Sequence, residues 1–293
     1  MPPTSGNPEY VRWQSDASQL RNPVLIAAFE GWNDAGNAAT LAAGHIADRL
    51  DAEPFAEIDP EPFYDFSTTR PTVQLDENQA RSLVWPTNLF RCARVASADR
   101  DVIVLLGLEP QLRWRTFSQQ IIDVAHRLDV GLVITLGALL ADVPHSRPIE
   151  VYGTSDDPLV SSELELTPPT YEGPTGIVGI LSAACRDAGL PTASIWSAVP
   201  SYVPAAPSPK AALALVEQIC EVLGTSVYVT DLEIASAAYE RQVSELVAED
   251  EDTAEYVATL EEAWDSDEGD REILPVDPDT LVAEVERFLR DND

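Results

Sequence analysis

Polar residues recur in this 293-residue chain directly after its most apolar runs. Glu30, Asn33 and Asp34 follow the run 24–29; Glu109, Arg113 and Arg115 follow 101–107; Asp142, His145 and Arg147 follow 131–137; Ser201 and Tyr202 follow 194–199. A histidine near a carboxylate can act as a general base or bind a metal, because imidazole titrates near neutral pH and a neighbouring acid orients it. In Asp142-Val-Pro-His-Ser-Arg-Pro148 the prolines fix the backbone, so His145 and Arg147 point in set directions. The other reading of His145 is a histidine that hydrogen-bonds the carbonyls of its own loop. Glu30, Asp34, Glu109 and Asp142 could together hold a divalent cation, or be solvated surface acids; nothing in their spacing requires a metal, and none is expected.

Other chemistries lack their signatures. There is no G-x-S-x-G, no H-E-x-x-H and no C-x-x-C. Gly31 and Gly36 are too far apart for G-x-G-x-x-G, no Lys-Ser/Thr follows them, and Glu30 and Asp34 would repel a phosphate. The glycines of Tyr171-Glu-Gly-Pro-Thr-Gly-Ile177 precede a helical pattern, where they suit either an anion cradle or a tight turn with close packing. No cofactor is expected.

The polar clusters need a scaffold that brings them to one edge, and the apolar pattern supplies one. The continuous runs 24–29, 101–107, 131–137 and 194–199 read as strands buried on both faces. Between and after them lie helical periods at 35–47, 114–128, 176–188 and 209–223. Alternation of this kind predicts an α/β domain with a mostly parallel sheet, whose ligand crevices lie past the strands' carboxyl ends. Asn33 or Asp34 is placed to cap the first helix, whose contacting face is alanine-rich. A further strand is expected at 55–58, a hairpin-like excursion at 63–89, and antiparallel edge strands within 149–166. Residues 1–22 read as a loosely held N-terminal arm, 23–228 as the core domain and 229–293 as a C-terminal helical region. That region carries three amphipathic stripes: Leu232, Ala235, Tyr239, Val243 and Leu246; Tyr256, Val257, Leu260 and Trp264; and 281–289.

The net charge of −32 opposes binding to nucleic acid or an anionic membrane. Residues 231–293 hold 22 acids and 4 arginines; the chain has one lysine, Lys210. No apolar run is long enough to span a bilayer, and the first ten residues lack a signal-peptide core. Three scattered cysteines predict neither a disulfide framework nor a zinc cluster, and a cytoplasmic location follows as the expectation.

The ordered motifs Ala28-Phe-Glu-Gly-Trp-Asn-Asp-Ala-Gly36, Leu106-Gly-Leu-Glu-Pro110 with Arg113-Trp-Arg115, 135–148, Tyr171-Glu-Gly-Pro-Thr-Gly-Ile177 and Pro207-Ser-Pro-Lys-Ala211 together resemble the proteasome assembly chaperone type 2 family in its actinobacterial branch. The resemblance spans about residues 22–224. It implies a three-layer α/β/α fold with a mixed sheet, similar to nucleoside phosphorylases and related hydrolases, plus the acidic helical tail. It further implies homo-oligomers and protein partners, with proteasome subunits foremost. Members that dock on proteasomes can use a C-terminal hydrophobic–tyrosine–any-residue tail; this chain ends Arg-Asp-Asn-Asp293, so docking of that kind is not expected. The resulting expectation is a non-enzymatic, cytoplasmic protein-interaction factor. The alternatives are a hydrolase or phosphorylase-like enzyme, or a small-molecule binding module, using the crevice past the strands.

Overall fold

The computed structural model describes residues 9–76 and 79–266. In chain order these form β1 (Val11–Trp13), β2 (Val24–Glu30), a 3₁₀ turn (Ala35–Asn37), α1 (Ala38–Arg49), β3 (Glu53–Ile58), β4 (Thr72–Leu75), β5 (Arg81–Val84), β6 (Asn88–Ala93) and β7 (Val102–Leu108). Then come α2 (Trp114–Arg127), β8 (Leu132–Ala141), β9 (Val151–Thr154), α3 (Pro158–Glu163), α4 (Ile177–Asp187), β10 (Thr192–Pro200), α5 (Pro209–Leu223), α6 (Thr230–Ala248) and α7 (Glu251–Ser266).

Eight strands make one mixed sheet in the order β1-β3-β6-β7-β2-β8-β10-β9. Its centre, β7-β2-β8-β10, is parallel, and antiparallel strands close both sides. Side chains alternate along β2 between two cores. Val24, Ile26 and Ala28 face α1 and α5, while Leu25, Ala27 and Phe29 face α2 and α4. The three-layer α/β/α arrangement follows directly. Six residues of α1 are fully buried and five of them are alanine, which lets the helix lie close to the sheet. No helix among the described residues is long and apolar enough to cross a membrane.

Several elements depart from the sequence expectation. Strand β6 lies inside the sheet although its residues mix Asn88 and Arg91 with Leu89 and Phe90. Partners hold most of its polar groups: the Asn88 amide N–H donates to the Tyr64 hydroxyl, although its buried Oδ1 has no partner, and Arg91 donates to the Ala52 carbonyl and the Asp48 carboxylate. Part of the arm is held, because β1 pairs with β3 at the sheet's edge. On α6 the buried stripe runs through Tyr239, Val243 and Val247, and Leu246 is exposed. The expected helix at 281–289 lies outside the described residues.

Arg21 ties the end of the arm to the sheet. Asp101, fully buried before β7, accepts from the Arg21 backbone N–H (2.7 Å), the Arg21 guanidinium (2.7 Å) and the Val95 N–H (3.0 Å). Burial works to raise its carboxyl, but these donors outweigh it and hold it below the usual carboxylate range. Asp101→Ala strands two backbone donors and is expected to cost about 2–3 kcal/mol in urea unfolding at neutral pH. Because the stabilisation from a depressed carboxyl is complete above its unfolded value near pH ~3.9 and is lost as pH falls below that through the lower folded value, the gap to wild type should narrow below pH ~4.

Candidate functional site

Because β7, β2, β8 and β10 run parallel, their carboxyl ends and the polar residues after them share one rim. The structure divides those residues into two groups.

The first group surrounds Glu109. Its backbone N–H donates to the Glu30 carbonyl (2.9 Å). Its carboxylate accepts from the Trp32 N–H through Oε2 (3.2 Å) and from the Ile177 N–H through Oε1 (2.9 Å). One side chain thus joins the β2–α1 turn, the end of β7 and the first turn of α4. Anions are favoured at a helix N-terminus, and the glycine-rich approach to α4 is such a site; its anion is the chain's own carboxylate. Two glycines allow the close approach. Gly31 has φ +147°, and a Cβ there would lie 2.9 Å from the Glu109 Cβ; a Cβ on Gly176 would collide with Asn33 Oδ1 and lie 2.8 Å from Glu109 Oε1. The Asn33 carbonyl accepts from the Ala138 N–H of β8 (2.8 Å), and its buried Oδ1 has no hydrogen-bond partner.

Asp34 sits beside this group, 5% exposed. Its carboxylate accepts from the Ala39 N–H (2.8 Å), the Thr40 N–H (3.2 Å) and the Thr40 hydroxyl (2.5 Å). The local capping position is Asn37, in a left-handed conformation and without a side-chain cap bond, so Asp34 caps α1 from across the 3₁₀ turn. Burial, with the Glu30 charge adding to it, raises the Asp34 carboxyl despite those donors. Arg113 belongs to neither group: it starts α2 in a left-handed conformation and lies over the Tyr10 ring, 5.6 Å from its centroid.

The second group is Asp142, His145 and Arg147, and it holds the C-terminal helices. Asp142 accepts from Ser201 (2.9 Å) and from Tyr256 of α7 (2.7 Å). His145, 3% exposed, donates its backbone N–H to the Tyr202 hydroxyl (2.7 Å); its Nδ1 lies 2.8 Å from that hydroxyl and its Nε2 lies 2.9 Å from the Ser244 hydroxyl of α6. Tyr202 already accepts from the backbone, so its proton goes to Nδ1, and Nε2 carries the imidazole proton toward Ser244. Ser244 in turn donates to the Glu240 carbonyl (2.8 Å). Lys210 donates to the His145 carbonyl and to the Glu240 carboxylate, both at 2.6 Å. Ser146 donates to Glu261, and Arg147 forms a two-pronged pair with Asp265 (2.9 and 2.7 Å). A small apolar cluster of Tyr239, Val243, Val247 and Val257 lies beside these bonds.

His145 therefore bonds side chains of β10's rim and α6 rather than carbonyls of its own loop. The four acids do not form a metal centre either: among the described residues no set of three or more His, Cys, Asp or Glu is arranged to hold one. The partners Glu240, Ser244, Glu261 and Asp265 were legible only as parts of an acidic outer face. Their signal was spacing, since each pair is four residues apart and so shares a helix face.

Burial lowers the His145 imidazole below its usual value, with Lys210 adding to the effect and Glu240 and Glu261 opposing it. A depressed histidine stabilises fully above its unfolded value of ~6.5 and less as pH falls below it. His145→Ala is expected to cost about 1–3 kcal/mol at pH 7.5 in urea unfolding. That cost should shrink as pH falls from ~6.5 toward ~5.

The PAC2 family model matches residues 28–247. The PAC2 family protein of Streptomyces avermitilis is 43% identical, with a TM-score of 0.74 over 80% of this chain and 99% of that one. A Mycobacterium tuberculosis proteasome-assembly chaperone homologue is 44% identical, with a TM-score of 0.72 over 80% of this chain and 99% of that one. A second M. tuberculosis protein, of unknown function, is 27% identical and has a TM-score of 0.78 over 97% of this chain and 94% of that one. No curated protein matches the chain. The ordered rim motifs, the three-layer fold and these similarities place the chain in the PAC2 family.

Proposed function

We propose that this chain is a non-enzymatic, cytoplasmic protein-interaction factor of the proteasome-assembly-chaperone type, working as a homo-oligomer with proteasome subunits as partners. The observation that carries this reading is the occupancy of the rim. Both nitrogens of His145 and both carboxylate oxygens of Glu109 are engaged by the chain's own groups. An acid–base catalyst needs such atoms within reach of a substrate. The thiols point the same way. Burial pushes the Cys185 thiol up to about 12 and also raises Cys92 and Cys220, so none is tuned as a nucleophile. All three cysteines are unpaired, which suits a reducing compartment. The likeness to the M. tuberculosis chaperone homologue supplies the class of partner.

On this reading the boundary near residue 229 separates the core from a helical region that the rim holds in place. Contact with a partner falls to exposed apolar groups on that rim. Trp32 is 54% exposed between Gly31 and Asn33, and large aromatics anchor interfaces more than other residue types do. The test is capture of proteasome subunits from native lysate by wild type, His145→Ala and Trp32→Glu. Wild type and His145→Ala should recover the same partner, and Trp32→Glu should recover at least ~10-fold less, the ~1.4 kcal/mol expected of an interface anchor. Absence of any captured partner, together with hydrolysis of a nucleoside or ester that His145→Ala abolishes, would overturn the proposal in favour of an enzyme.

A further inference from the structure

The exposed apolar side chains are not evenly scattered. Val73, Leu75, Leu83, Val84 and Trp85 are all 42–60% exposed, and all belong to the β4–β5 hairpin or the residue after it. This hairpin is outside the main sheet; among the described residues β4 and β5 pair only with each other. Every residue of both strands is exposed. A two-stranded ribbon on its own is marginally stable in water.

The register sorts its side chains. Val73 stands opposite Leu83, and Leu75 opposite Arg81; Thr72 stands opposite Val84, and Gln74 opposite Ser82. Alternation therefore puts Val73, Leu75 and Leu83 on one face together with Arg81, and Thr72, Gln74 and Ser82 on the other together with Val84. An antiparallel ribbon with one mainly apolar and one mainly polar face is built to be covered on the apolar one. Its base is fixed by an edge-to-face contact between Trp85 and Phe66, with ring centroids 4.9 Å apart.

Charge indicates what covers it. The chain carries −32, so like-charge repulsion opposes contact between two copies over most of the surface. Residues 66–89 carry two arginines (Arg70, Arg81) and two acids, for no net charge, so this segment adds nothing to that repulsion. Of the charges and prolines that commonly protect an open edge from pairing, the two strands contain only Arg81. A two-fold axis would set this same apolar face of a second copy against it, with no net charge on either segment to oppose the contact.

We propose that the β4–β5 hairpin is a self-association surface, on which Val73, Leu75 and Leu83 pack against the same residues of a second copy. This gives the homo-oligomer of the proposed function a contact surface, and it rests on that part of the reading. It is independent of which other protein the rim engages.

The test is the solution mass of the full chain by light scattering, at low and at 0.5 M salt, for wild type, Leu75→Glu/Leu83→Glu and Ser82→Glu. Wild type should have the mass of two or more chains, more completely at high salt, because screening weakens the repulsion. The double variant should fall to the mass of one chain, with a dissociation constant raised at least ~100-fold, while its circular dichroism stays that of wild type. Ser82→Glu, on the polar face, should still associate. Association that survives Leu75→Glu/Leu83→Glu would overturn the surface and leave self-association standing. A wild type that is monomeric in both salts would overturn self-association itself. A monomer that binds a different protein through Leu75 and Leu83 would replace the second copy with that partner.

Discussion

The Glu109 carboxylate at the N-terminus of α4 is the contact on which the rim depends. Three segments far apart in sequence meet there: the turn after β2, the end of β7 and the glycine-rich approach to α4. Each brings a backbone group that must be satisfied once the segments pack, and one acid satisfies two of the donors. The arrangement works because Gly31 and Gly176 leave no side chain in the gap. Asp34 repeats the solution one helix away at the start of α1. What looks in sequence like a row of acids awaiting a ligand is thus, at these two positions, a pair of helix-terminus anions supplied internally.

The same economy extends to the C-terminal helices. Val257 is the only buried residue of α7, so apolar burial contributes little to its docking. Its place is set by Tyr256 on Asp142, Glu261 on Ser146 and Asp265 on Arg147. Exposed ion pairs are individually weak and screened by salt, so the Arg147 pairs with Glu261 and Asp265 hold α7 less firmly as salt rises. α6 is held more deeply, through Tyr239, Val243 and Val247 and through the His145–Ser244 contact.

Much of this was legible in the residues. The runs that became β2, β7, β8 and β10 are apolar throughout because both faces are covered, and that leaves a plain trace. The boundaries of α5 follow from Ser208, Pro209 and Gly224, residues with definite capping chemistry. Strand β6 left no such trace, because Asn88 and Arg91 are tolerated only through tertiary partners. The rim residues were legible as chemistry-bearing types, but not as two groups. That division depends on α6 packing beside α5 and reaching the segments after β8 and β10, a long-range fact that local spacing does not encode. The shift of the α6 stripe from Leu246 to Val247 has the same origin, since the helix face is chosen by what it packs on.

If the rim is a structural junction rather than a ligand site, the Ile177 N–H must be protected by the Glu109 carboxylate itself. Amide hydrogen exchange of the full chain, wild type against Glu109→Ala, measures this directly. The account predicts that Ile177 exchanges at least ~10-fold faster in the variant, a loss of ~1.4 kcal/mol of local protection, while amides inside β2 and β8 are unchanged. Unchanged exchange at Ile177 would contradict it, and would leave the Glu109 carboxylate available for a substrate or ligand.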